Sequence, residues 1–148
     1  MSNTLTNIVI HIIFSTKNRA PQIKPEFAER LYSYIGGIAR NLDCTLLAAG
    51  GIEDHIHLLV VLHPTVAVSD LLRDVKSNSS KWFHEDLKAD FEWQRGFAAF
   101  SVSESNVPEV RAYIANQREH HTRRSYEEEL VAFLQRHNIT FDRTYLLG

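Results

Sequence analysis

From Leu5 to Phe14, apolar and β-branched residues run almost without a break, and a run of that length predicts a buried strand. Lys17 to Pro25 follows as a basic loop with two prolines. Phe27, Leu31, Tyr34, Ile35, Ile38 and Leu42 then recur at the spacing of an amphipathic helix. Cys44 to Ala49 predicts a second strand, Gly50-Gly51 and Glu53-Asp54 a turn, and Ile56 to Leu62 a third strand, so these two strands form a hairpin. Pro64 ends the hairpin. Val68, Leu71, Leu72, Val75, Ser79, Trp82 and Phe83 describe a second helix to about Glu85. After a polar stretch holding Trp93, Phe97 to Val102 predicts a fourth strand. Asn106 has the character of an N-cap, with Pro108 in the first turn and Glu109 three residues on, and opens a third helix to about His121. Ser125 with Glu128 repeats the capping-box pattern and opens a fourth helix carrying Tyr126, Leu130, Phe133 and Leu134.

The order β-α-β-β-α-β, followed by two helices, predicts an α+β fold: a ferredoxin-like split βαβ with an antiparallel sheet whose first and third strands are central. One face of that sheet lies under helices and the other is left available. The 148 residues fit one domain, residues 1–148, with a core over about 5–122 and a C-terminal helix and tail over about 125–148. No apolar run reaches the ~20 residues of a membrane helix, and the start Met1-Ser2-Asn3-Thr4 carries no export signal. Cys44 is the only cysteine, so an internal disulfide is excluded and a reducing cytoplasm fits.

The net charge of −2 gives no overall basic surface for nucleic acid. Local groups are basic, however: Arg111, Arg118, Arg123 and Arg124 face only Glu119, while Lys17, Arg19 and Lys24 form a second group and Arg73, Lys76 and Lys81 a third. Solvated faces explain such groups as readily as DNA contacts do.

The segment Asp54-His55-Ile56-His57-Leu58 carries most of the chemistry. Alternate strand residues share a face, so His55 and His57 point the same way with Cα atoms about 6.6–6.8 Å apart. Two imidazoles so placed can converge on one cation, and Ile56 and Leu58 face the opposite side, against helices. On the third helix, Tyr113 and Gln117 are four residues apart and stack on one face. Tyr113 lies at the edge of the apolar stripe of Val107, Val110 and Ile114, which leaves it either a packing residue or a reactive one. His120 and His121 continue near that face and are alternative ligands to Gln117. Asp54 or Glu53 is either a turn residue or a partner for a ligand histidine, and His11 is either a satisfied core histidine or a neighbour of the site.

Several stretches together resemble the HUH-type single-tyrosine transposases of the smallest bacterial insertion sequences, including their REP-associated relatives. They are His11 to Arg19, Asp54 to Leu59, Val68 to Leu72 with Lys76 and Ser79-Ser80, Trp93 to Phe97, and Tyr113 to Gln117. The resemblance implies metal ligands at His55, His57 and Gln117, a nucleophile at Tyr113, and magnesium or manganese as the divalent cofactor. It implies a transposase that cleaves and transfers single-stranded DNA through a 5′-phosphotyrosine. The expected partners are single-stranded, hairpin-forming DNA ends and a second copy of the chain, in a homodimer with shared active sites. The expected location is the prokaryotic cytoplasm, on the nucleoid when DNA is bound. Lys17, Arg19, Lys76, Arg111 and Arg118 are the candidate phosphate contacts, and Trp82, Trp93 or Phe97 the candidate base-stacking residues. Two other readings stay open: a domesticated protein that holds a DNA hairpin without cutting it, and a metal-dependent hydrolase that does not use the tyrosine.

Overall fold

In a computed structural model describing residues 3–146, four antiparallel strands are arranged β2-β3-β1-β4. The first two residues of the uncharged start and the last two of the tail lie outside the described residues. The strands are β1 (Ile8–Ser15), β2 (Thr45–Ile52), β3 (His55–Leu62) and β4 (Ala98–Val102). The helices are α1 (Pro25–Asn41), α2 (Val68–Glu85), α3 (Val107–Ala115), α4 (Gln117–His120) and α5 (Tyr126–Arg136). The predicted split βαβ topology is present, with β1 and β3 central. Among the described residues no helix is long and apolar enough to cross a membrane.

The first strand begins at Ile8 rather than Leu5. The β1–β3 ladder ends where Ile8 meets Leu62, so residues 5–7 have no strand to pair with, and Leu5 is left almost fully exposed. Gly50 and Gly51 lie within β2, not in the turn, which is confined to Glu53 and Asp54. Neither glycine has a positive φ; each is needed for close approach. A Cβ on Gly50 would stand 2.2 Å from the Ile114 carbonyl oxygen, and one on Gly51 would stand 2.2 Å from the His55 oxygen.

The two sheet faces bury different groups. Ile12, Phe14, Ile56, Leu58 and Val60 point to one side and pack with Leu31 and Ile35 of α1 and Leu71, Leu72, Val75 and Phe83 of α2. Each such buried side chain stabilises the fold by ~1.5–3 kcal/mol. The opposite face carries Val9, His11, Ile13, Ser15, His55, His57 and Leu59, as the register requires. The expectation that this face is open is corrected: α3 covers Val9 and Leu59 through Ile114, and α5 covers Ile13 and Phe100 through Tyr126, Leu130, Phe133 and Leu134. The C-terminal helix is thus part of the core.

The third helix is also divided. Asn116, a weak helix former, adopts φ −103° and ψ 25° and separates α3 from the single turn of α4. Asn106 makes no side-chain cap, because it closes a 3-10 turn that leads into α3. The Ser125–Glu128 capping box at the start of α5 forms as predicted.

Candidate active site beneath the C-terminal helices

His55 and His57 project from β3 toward the helices and are completely buried. Gly50 pairs with His57 across the β2–β3 ladder, and its missing side chain lets α3 settle directly above. That approach brings Tyr113 and Gln117 over the histidines of the same chain. Gln117 Oε1 stands 3.1 Å from His55 Nε2.

One residue at the centre has no counterpart in the sequence reading. Glu129, fully buried on α5, places Oε1 at 3.2 Å from His55 Nε2, 3.1 Å from His57 Nε2 and 3.0 Å from His121 Nε2. Its Oε2 accepts a hydrogen bond from Gln117 Nε2 at 3.0 Å and a short one from the Tyr113 hydroxyl. The signal for it was present in the sequence: Tyr126, Glu129, Leu130 and Phe133 form one helical stripe, and a carboxylate inside an apolar stripe has to find partners. His121 also joins the cluster, through Gln117 Oε1 at 3.1 Å, whereas His120 stacks on the Tyr113 ring with centroids 4.5 Å apart.

Two flanking groups orient the histidines. Asp54 Oδ1 lies 2.8 Å from His55 Nδ1, so this turn residue does partner a site histidine. His11 Nε2 lies 2.8 Å from His57 Nδ1. Burial pulls His11 down to about 3 and His57 to about 4, so both are neutral near pH 7. Burial also acts to lower His55, but its bonds to Asp54 and Glu129 outweigh that and raise it.

The donor set fits a cation. Asp54 pairs with His55 Nδ1, and His55 Nε2 faces the oxygens of Gln117 and Glu129, to which it either donates a proton or shares an ion. A bare nitrogen facing two oxygens is repulsive unless a proton or a metal ion lies between them. The ligand atoms of His55, His121 and Glu129 all lie within 4.8 Å of one another. His57 stands beside this triad, against the same Glu129 oxygen.

The predicted DNA contacts are spread around the loops and helices. Lys17 pairs with Glu92 at 3.3 Å and Arg118 with Glu53 at 2.5 Å, all four at least partly exposed. Arg111 is exposed, and Arg19 is half-buried with φ 54°. Lys76 donates to the carbonyls of Gln94, Arg95 and Gly96 at 2.7–3.2 Å, which commits it to holding that loop. Trp82 and Trp93 are core residues, and Trp93 Nε1 donates to Ser79 Oγ at 2.9 Å, whereas Phe97 is 40% exposed.

The chain matches the family described as "Transposase IS200 like" over residues 4–117. It is 28% identical to the transposase of insertion sequence element IS200 from Salmonella typhimurium over 126 residues, covering 80% of this chain and 82% of that protein. It is 25% identical to the ISDra2 transposase TnpA of Deinococcus radiodurans, covering 72% and 81%. An inferred transposase of Deinococcus radiodurans known from its crystal structure has the same fold, with a TM-score of 0.64, 22% identity, and coverage of 79% of this chain and 95% of that one. A REP-associated tyrosine transposase solved with a REP hairpin superposes with a TM-score of 0.59 and 16% identity, covering 78% and 72%. With the family match spanning most of its length, and the fold shared, this chain belongs to the IS200-like transposases.

Proposed function

We propose that this protein cuts single-stranded DNA with Tyr113, retains the 5′ end as a phosphotyrosine and passes it to another 3′ end, using a divalent cation at the histidine cluster. The supporting observation is that the Tyr113 hydroxyl and the imidazoles of His55, His57 and His121 all meet one carboxylate, Glu129. In this reading the nucleophile and the ion-binding cluster adjoin within one chain. The hairpin bound to the REP-associated neighbour supports hairpin-forming DNA as the substrate. Lys17, Arg19, Arg111 and Arg118 are the phosphate contacts in this reading, and a homodimer holding two DNA ends suits strand transfer.

In the reaction the Tyr113 oxygen bonds to phosphorus as the bond from phosphorus to the 3′ oxygen breaks. The phenolic proton leaves, and a proton ends on the released 3′ hydroxyl. One phosphodiester replaces another, so the step is reversible without nucleotide hydrolysis. The cation, when bound, neutralises charge on the phosphate oxygens, with His55, His57, Gln117 and the residues beside them as the candidate ligands.

The protein's own contribution to the tyrosine is orientation. Burial, reinforced by Glu129, pushes the Tyr113 hydroxyl up to about 12, so the proton rests on the phenol. Burial works against ionisation of Glu129, but bonds from His121, His55 and His57 prevail and hold its carboxyl well below the ordinary range. Glu129 Oε2 accepts from the hydroxyl and so aims it. Arg124 Nη2 donates to the Tyr113 oxygen at 3.2 Å and is placed to stabilise negative charge there during attack.

The test is incubation with single-stranded oligonucleotides and manganese or magnesium, followed by a denaturing gel. A covalent adduct that disappears in Tyr113→Phe is expected. Hairpin binding without an adduct would identify a retired, non-cutting protein, and cleavage that persists in Tyr113→Phe would identify a hydrolase.

A further inference from the structure

We propose that the cavity between residues 94–98 and α5 is a subsite for one unpaired pyrimidine base of the substrate strand, an assignment that rests on the single-stranded DNA reading above. It gives a role to Phe97 and Arg95, which the cleavage chemistry does not use.

The segment that leads into β4 is held more firmly than an ordinary loop. Trp93 is buried in the core and forms a bridge with Thr16. Lys76 Nζ donates to the three consecutive carbonyls of Gln94, Arg95 and Gly96 at 2.9, 3.2 and 2.7 Å. The buried Gln94 carboxamide accepts from the Ser15 amide at 2.6 Å and from the Tyr126 hydroxyl at 3.3 Å. On this fixed backbone Arg95 and Phe97 are nevertheless exposed. Arg95 forms no ion pair with the described residues. An aromatic ring and a free cation on a rigid loop are pre-organised for a ligand, since little ordering entropy is lost when it binds.

Phe97 lines a cavity of about 170 Å³. Leu130, Leu134 and Phe141 supply apolar walls, and Gln94 and Tyr126 add fixed polar groups. A largely apolar pocket with a few oriented polar groups is the usual form of a small-ligand site. An apolar cavity of ~150 Å³ takes up one benzene ring, so this space suits a single six-membered base and is tight for the two rings of a purine. Gly96 adds no side chain to it: a Cβ there would meet only Gln94 Nε2, at 4.0 Å. Tyr126 joins the cavity to the reaction centre, because its ring lines the cavity and also lies against His55 with centroids 4.5 Å apart. A base seated there belongs to a nucleotide close to the phosphate that Tyr113 attacks. Phe97 replaces the stacking which that base gives up, and Arg95 supplies a cation for the adjoining phosphate.

The test is fluorescence anisotropy with the full chain carrying Tyr113→Phe, in EDTA, so that cutting plays no part. The probes are oligo-dT, oligo-dA and an abasic strand of equal length. Oligo-dT should bind about fivefold or more tightly than either of the others. Phe97→Ala should remove most of that preference and leave the abasic strand within twofold, whereas Phe97→Tyr should bind like the parent. Gly96→Leu fills the cavity from a backbone without positive φ and with open space around it, so it should fold, keep the parent melting temperature and lose the preference as well. Equal affinity for oligo-dT and the abasic strand, unchanged oligo-dT binding in both variants, or a loss shared by all three strands would overturn the pocket. A parent that prefers oligo-dT in this way but forms no adduct with metal present would count against the cleavage reading alone. An intact adduct with unaltered binding in Phe97→Ala and Gly96→Leu would count against the pocket alone.

Discussion

Substituting Gly50 by alanine tests how the nucleophile is delivered. Gly50 faces α3 from β2, next to His57 in the ladder. An added Cβ would lie 2.2 Å from the Ile114 carbonyl oxygen and 3.1 Å from both its carbonyl carbon and its Cγ2. Ordinary C···O contacts start at about 3.3 Å, so α3 has to retreat by roughly 1 Å. Overpacking of this kind costs about 1–3 kcal/mol. With an unfolding entropy of about 2.1 cal/mol/K per residue, that corresponds to a fall of roughly 3–10 °C in melting temperature. The protein stays folded at 25 °C, yet Tyr113 precedes Ile114 and moves with it. A misplacement of about 1 Å costs on the order of 100-fold in rate, so adduct formation should fall far more than the folded fraction does. Gly37→Ala in α1 is the control: its Cβ would meet only the flexible end of Arg40, at 3.6 Å, and should be neutral or stabilise by about 0.5–1 kcal/mol. The assay is the initial rate of covalent adduct alongside thermal unfolding. An unchanged rate and melting temperature in Gly50→Ala would refute the seating of α3 on this glycine.

Other predictions concern the elements around the site. Lys76→Met removes three charge-assisted bonds to partly solvated carbonyls and should cost about 1–2 kcal/mol in urea unfolding. If stability holds and only DNA affinity and its salt slope fall, Lys76 is a phosphate contact instead. Ser125→Ala breaks the capping box on the helix that carries Glu129 and should cost about 1 kcal/mol; a loss below 0.3 kcal/mol by the same measurement would show that tertiary packing alone holds the end of α5.

Periodicity alone determined most of the framework. The succession of strands and helices, the split βαβ order and the shared face of His55 and His57 follow from local repeats of two and 3.6 residues and are present in the structure, although β1 starts three residues late and the third helix is broken at Asn116. Chain order along the third helix also placed Tyr113 and Gln117 together. What local pattern could not supply was distance between remote elements. Gly50-Gly51 reads as a turn because glycine is usually a turn residue; only the docking of α3 shows that it serves close approach. Glu129 reads as one more acid in an acidic first turn, and only the packing of α5 on the second sheet face carries it 72 residues back along the chain to His57. Side-chain spacing within one element is set by backbone geometry and is written in the sequence. The convergence of β3, α3, α4 and α5 on a single carboxylate depends on which surfaces exclude water together, and that was decided by the tertiary structure.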